Sequence, residues 1–334
     1  MNHPDPIDIR PARRRDAPLL AEFFARVPSA SGDAALSASR AALRNHVLAI
    51  RADEPACPVG RLLGTCLVAP AAGRCALLFP PRLIAWDDDL AAGLLRAAAA
   101  LACRAGARFI QTRTDLPAVA SASLLRRSSR FGCEGWKAGP DPASPLARAL
   151  GRAGFDRLAV LVYLRRAVWP LDRHLLLPAG LRWCHYSPFR RRQFAQTIAR
   201  TYEDSLDCPK MAGLRTVRQT IAAHRHTGRF SPRTWWIALD GREAVGISLL
   251  NNFQGRGELV YLGTVPEARR RGIGRALLCR AIRDTAEMGL PQMGLAVDAD
   301  NVPAVRLYQS MGFKEIRRRL TWFIPADRLD SLNF

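Results

Sequence analysis

One phrase occurs once in each half of this chain. The stretch LARALGRAGF, from Leu146 to Phe155, precedes an apolar strand at Val160–Leu164, and LYQSMGF, from Leu307 to Phe313, precedes another at Glu315–Ile324. Each is a short helical stretch closed by Gly-Phe. A helix ends readily there, because glycine takes the left-handed conformation of a helix terminus without a steric penalty. Two such closures constrain the fold to two similar halves, and 334 residues suffice for two domains. We expect an ancient duplication: residues 1–168, a linker at 169–180, and residues 181–334.

The remaining segments follow the same order in both halves. In the second, a strand at Leu181–His185 leads to helices at Pro188–Thr201 and Arg215–His226. Apolar runs at Thr234–Leu239 and Val245–Asn252 flank the DGRE turn that begins at Asp240, a hairpin signal. Strand Glu258–Thr264, helix Ala276–Glu287, strand Gln292–Val297 and helix Val302–Met311 complete the set. The first half offers Ile7–Arg10, a helix near Asp16–Arg26, and strands at Val47–Arg51, Leu62–Val68 and Cys75–Phe79. An alanine-rich helix at Leu90–Ala105 and a strand at Phe109–Thr112 follow. Residues 113–143 read as an irregular insertion.

Composition excludes several classes. The 50 Lys and Arg against 29 Asp and Glu give a net charge of +21, which favours anionic partners without naming one. The excess is spread through both halves with no exposed basic stripe, so nucleic acid is not the expected partner. Eight cysteines form no CxxC pair and six histidines no HExxH, so no metal is expected. The start has no apolar signal core, and Arg96 and Arg104 break the longest Ala-Leu run. These features point to a cytoplasmic protein with reduced thiols and no membrane span.

The stretch VPEARRRGIGRALL, from Val265 to Leu278, carries the most chemistry. It stands between a strand and a helix, where glycines let an anion reach backbone N–H groups and the helix start presents unpaired donors. It contains no GxxxxGK[ST], and it lies too late in its half to be a dinucleotide fingerprint. A solvated charge cluster and a pyrophosphate seat both remain open; the second is preferred.

The segment RRRGIG, from Arg269 to Gly274, resembles the (Q/R)xxGx(G/A) signature of the GNAT superfamily of N-acetyltransferases. ELVYLGTVP, from Glu258 to Pro266, and NVPAVRLYQSMGF, from Asn301 to Phe313, fit the same family. The resemblance covers roughly 181–325, with 1–168 as a degraded second copy. It implies an α/β (α+β) fold of two tandem acyl-CoA N-acyltransferase-like domains, each a mixed, mostly antiparallel sheet flanked by helices. Acetyl-coenzyme A, or another acyl-coenzyme A, would be the co-substrate, and a small-molecule or peptide amine the acceptor. Arg269, Arg270, Arg271, Gly272, Ile273, Gly274 and Arg275 would hold its pyrophosphate. Leu262, Gly263, Thr264 and Val265 would meet the pantetheine arm and the thioester carbonyl, and Asn301 would contact the cofactor or cap its helix.

By the same resemblance Tyr308 would be the acid that protonates the departing thiolate and Glu258 the base. Tyr261, at odd spacing from Glu258, is expected on the opposite face of their strand. Acceptor recognition would fall to 201–213, with Tyr202, Glu203, Asp204 and Asp207, while Asp298 and Asp300 would help cap the helix after Asn301 or bind the acceptor. Where the first half would carry the signature it has PRLIAWDDD, from Pro81 to Asp89, whose aspartates would repel a diphosphate. One cofactor site per chain is therefore expected. A noncatalytic acetyl-coenzyme A sensor or protein-interaction module is the alternative.

Overall fold

Val47, Leu48, Ala49 and Ile50 are all buried, so their strand is covered on both faces. This strand, β2 (His46–Arg51), lies antiparallel between β1 (Ile7–Pro11) and β3 (Arg61–Ala71). β4 (Cys75–Leu78) and the short β5 (Arg82–Leu83) both pair antiparallel with β3, and β6 (Phe109–Asp115) runs parallel to β4. Helix α1 (Ala17–Arg26) lays Leu20 and Phe23 on Leu48, Ile50 and Leu62. Helix α2 (Asp88–Arg104) buries an alanine-leucine stripe that includes Leu94 and Leu95. Asp87 caps it by accepting from the Leu90 N–H at 2.7 Å. Asp88 and Asp89 pair with Arg148 and Arg152 of α3 (Pro145–Arg152) at 2.7 and 2.6 Å.

A second group of strands comprises β7 (Asp156–Ala167), β8 (Leu181–His185), β9 (Trp235–Asp240), β10 (Glu243–Phe253), β11 (Arg256–Thr264) and β12 (Gln292–Asp298). Neighbours run in the order β8, β9, β10, β11, β12, β7, and only the β11–β12 pair is parallel. The pairing in both groups of strands is thus mixed and mostly antiparallel. Helices α4 (Arg191–Tyr202) and α5 (Val217–His226) cover one face with a core of Phe194, Ile198, Ile221, Trp235 and Leu249. Helices α6 (Ile273–Glu287) and α7 (Val302–Ser310) cover the other with Leu250, Leu259, Leu278 and Phe313.

The structure, a computed structural model, describes residues 7–26, 44–51, 61–116, 144–177, 179–325 and 327–328. Most of the expected insertion, from residue 117 to 143, lies outside these residues. Two units emerge whose membership departs from chain order. One takes the described residues up to Thr114, those from 144 to Arg157, and those from Leu320 on; the other takes Asp115, Leu116 and Leu158–Arg319. The final strands account for the difference from a division at 168 and 181. β7 pairs with β12 from Gln292↔Ala167 to Asp298↔Leu161, burying Val162 and Leu164 in the second unit's core. The last strand, β13 (Lys314–Pro325), ends in the first unit, where Phe323 stacks on Phe109 at 5.7 Å.

The expected linker is also part of the second unit. Asp172 is buried, accepts from the Trp169 N–H at 2.9 Å and pairs with Arg166 at 2.8 Å, while Leu175 packs on the core.

Candidate active site

β10 and β11 remain paired from Phe253↔Arg256 to Gly246↔Thr264. On its other edge β11 meets β12 only at Gly257↔Met293, Glu258↔Gly294 and Leu259↔Leu295. Beyond Leu259 that edge has no strand partner among the described residues, although β12 continues to Asp298. Parallel strands that part in this way leave main-chain donors and acceptors facing a cleft. Val265 donates its N–H to Val245 O at 3.1 Å. Because antiparallel bonding alternates along a strand, Gly263 also turns toward β10, while Leu262 and Thr264 turn toward the opening. Of the four residues expected to meet the pantetheine arm, Leu262 therefore turns its peptide groups to the opening and Thr264 its N–H, the Thr264 carbonyl accepting from Arg269, while two are committed to the sheet.

A bulge changes which side chains share a face. Leu249 opposes Tyr261 and Leu250 opposes Leu259, leaving Val260 as the extra residue. Glu258 opposes Asn251, two residues from Leu249, so Glu258 and Tyr261 lie on the same face. The odd-spacing expectation fails because it assumed an uninterrupted strand. Both side chains face the α4–α5 side, with the Glu258 carboxylate 3.1 Å from the Arg256 Nε.

The loop after β11 turns through Pro266–Ala268 and enters α6 from Gly272. Gly272 has φ +79, a left-handed conformation, and no side chain caps the helix. The first backbone bond of the helix is Ala276 N–H to Gly272 O at 3.1 Å. The N–H groups of Arg270, Arg271, Gly272, Ile273, Gly274 and Arg275 have no acceptor among the described residues. A run of six such donors at a helix start, with its partial positive charge, suits a diphosphate. A Cβ placed on Gly274 would meet only Leu307 at 3.4 Å and Thr264 at 3.8 Å, so no protein neighbour demands glycine there. A group approaching the backbone from outside, such as a diphosphate, would account for it.

The three arginines diverge. Arg269 turns inward to main-chain oxygens: Thr264 O at 3.3 Å, Asp204 O at 3.1 Å, and Glu203 O. Arg271 pairs with Asp240 at 2.7 Å. Arg270, at φ +61, and Arg275 are exposed beside the open N–H groups, Arg275 reaching Ser310 at 3.4 Å. The nearby charge thus comes from Arg270 and Arg275, with Arg269 and Arg271 engaged elsewhere.

Polar groups gather beside the opening. The Thr201 hydroxyl donates to Ile198 O at 2.8 Å, which leaves Tyr261 as the donor in the 2.8 Å bond between their hydroxyls. The Tyr261 ring lies 5.5 Å from both the Tyr202 and His224 rings. Burial pushes the Tyr261 phenol up and lowers His224 to about 4, whereas Tyr202 stays 40 % exposed. His224 Nε2 is buried without a partner among the described residues.

Asp207 and Asp298 exchange backbone bonds: Asp298 N–H to Asp207 Oδ1 at 3.1 Å, and Cys208 N–H to Asp298 Oδ2 at 3.0 Å. Burial raises both carboxyl pKa values. No ion pair joins either to a cation among the described residues. Tyr308 is 6 % exposed, edge-on to Phe313, and its phenol is raised by burial and then by the Asp207 charge. Asn301 caps α7, accepting from the Ala304 N–H at 3.3 Å. Thr201 fell inside the expected 201–213 segment without a role of its own, and His224 was missed as a member of this group. They come from separate elements and meet only through packing, so no local spacing marks them.

Among the described residues, no cluster of His, Cys, Asp and Glu is placed to hold a metal ion, and no helix is long and apolar enough to cross a membrane. Residues 189–313 match the acetyltransferase (GNAT) family. The chain is 31% identical over 178 residues to the mycothiol acetyltransferase of Streptomyces griseus subsp. griseus, covering 52% of this chain and 56% of that protein. It is 28% identical over 210 residues to that of Geodermatophilus obscurus, covering 56% and 62%. It thus spans a little over half the length of these curated relatives.

Two solved structures share the fold. A GCN5-related N-acetyltransferase from Sphaerobacter thermophilus has a TM-score of 0.55 at 16% identity and 97% coverage of both chains. A tandem GNAT protein from the clavulanic acid biosynthesis pathway has a TM-score of 0.50 at 14% identity, covering 96% of this chain and 99% of that one. The parted β11–β12 edge, the bulge and the open N–H row all lie within residues 189–313, the stretch that matches the GNAT acetyltransferase family.

Proposed function

We propose that the second unit transfers an acyl group, most simply acetyl, from acyl-coenzyme A to a primary amine. The observation that carries this reading is the row of six unpaired N–H groups from Arg270 to Arg275 beside the open edge of β11. When bound there, the co-substrate supplies an activated acyl thioester. The chain's own residues do the rest. Leu262 and the Thr264 N–H face an extended arm, and holding both reactants in the cleft supplies proximity. A main-chain donor at the open edge can stabilise the oxygen on which charge develops.

Tyr308 is proposed as the group that hydrogen-bonds the departing sulfur. Its raised pKa keeps the phenol protonated at neutral pH, so it acts as donor and not as base. Glu258 is proposed to receive the amine proton through water, its position on the acceptor face supporting the role. Asp207 and Asp298, carboxylates without a cationic partner among the described residues, favour an acceptor that arrives as an ammonium ion.

The first unit is proposed to hold no second cofactor. Its corresponding helix start is capped by Asp87 and flanked by the paired Asp88 and Asp89, which leaves no open anion seat. Incubation with acetyl-coenzyme A and a panel of primary amines, read by mass spectrometry, tests the reading. An acetylated amine together with free coenzyme A is expected. Binding of acetyl-coenzyme A with every amine unmodified would favour a noncatalytic sensor.

A further inference from the structure

Arg269 opens the signature but faces away from the N–H row that follows it. Its guanidinium offers five donors in a rigid plane. Nε reaches Thr264 O at 3.3 Å, Nη1 reaches Asp204 O at 3.1 Å, and Nη2 reaches Glu203 O. The first oxygen belongs to the end of β11. The other two follow α4, where helix carbonyls lack intrahelical partners and favour a cation. Asp204 has φ +50, so this exit is held in a conformation that a free chain would leave. Four residues later, Cys208 N–H and the Asp207 carboxylate are bonded to Asp298 at the end of β12. The segment 203–208 is therefore pinned at one end to the loop that precedes the N–H row and at the other to β12. It bridges the two strands that part to form the cleft.

We propose that Arg269 is a positioning residue for the acceptor-side segment 203–208, coupling it to the cofactor loop, and that it is not a ligand of the diphosphate. The inference rests on the acyl-transfer reading for the meaning of the two sites. An anion that fixes residues 270–275 also fixes the backbone of Arg269, and through its fork the carbonyls of Glu203 and Asp204. Stiffening 203–208 in turn sets the Asp207 carboxylate and the Tyr202 ring where an acceptor would meet them. Lysine does not reproduce the fork, because its donors radiate from one nitrogen whereas Arg269 reaches the three oxygens from three separate nitrogens.

Hydrogen exchange and calorimetry on the full chain test this with acetyl-coenzyme A as probe, comparing wild type, Arg269→Met, Arg269→Lys and Gly274→Val. In wild type the probe is expected to slow exchange at 203–208 by about tenfold or more. Arg269→Met and Arg269→Lys should bind it within roughly threefold of wild type yet lose that slowing, whereas Gly274→Val should lose affinity. Loss of affinity in the Arg269 variants equal to that in Gly274→Val would overturn the proposal, as would slowing that survives in them. Exchange without the probe separates this inference from the transferase reading. If wild type takes up no acetyl-coenzyme A, that reading fails, while faster exchange confined to 203–208 in Arg269→Lys still supports the strut. Unchanged exchange there sinks it. Matching melting temperatures for wild type and Arg269→Lys establish that the variant is folded.

Discussion

At Gly272 and Gly274 two glycines of one signature serve different ends. Gly272 is left-handed at φ +79 with open space around it, so the backbone conformation requires glycine. Gly272→Ala should cost about 1 kcal/mol of stability, read as a lower thermal midpoint, because a left-handed non-glycine residue is strained. Tyr308→Phe should keep acetyl-coenzyme A affinity and lower turnover; unchanged turnover would remove the phenol from the chemistry. The glycines, Tyr308 and the cap at Asn301 were legible as residue types at a recognisable spacing. The aims of the arginines were not. Arg269 points to Glu203 and Asp204 and Arg271 to Asp240, oxygens far away in sequence that only the folded chain brings near.

The active features of β11 belong to the element. Its extra residue, Val260, moves Glu258 and Tyr261 onto one face, and its pairing with β12 stops at Leu259. Neither follows from apolar alternation, which registers a strand but not an added residue within it. Close packing of α4 on β11 is a further consequence. A Cβ on Gly263 would lie 2.8 Å from both Thr201 Cβ and Oγ1, and 3.0 Å from the Tyr261 hydroxyl. Gly263→Ala should destabilise by about 1–3 kcal/mol, because the helix end must shift, and should break the Thr201–Tyr261 hydrogen bond. Denaturant unfolding checks the first effect, and an unchanged midpoint would contradict the packing described.

On the scale of the whole molecule, the echo between halves was readable, whereas the destination of each final strand was not. The Gly-Phe closures at Phe155 and Phe313 signal a following strand, but local sequence does not say which sheet receives it. β7 contributes Leu161–Ala167 to the edge of β12, so residues 181–334 produced alone should fold poorly compared with 156–334. Circular dichroism and melting would decide; equal stability would contradict the assignment of β7.

Acid sensitivity follows from two buried imidazoles. Burial lowers His46 and His224 from 6.5 to about 4. Between these values the unfolded chain binds more protons than the folded one, so stability should decline as pH falls from about 6.5 to 4. The decline should be shallower in His46→Gln, and an equally steep decline would remove His46 from the effect. The most direct measurement is a calorimetric titration of wild type and Gly274→Val with acetyl-coenzyme A. The account predicts one molecule bound per wild-type chain and affinity at least about tenfold weaker in a variant that melts normally. No binding to wild type, or equal affinity in both proteins, would contradict it.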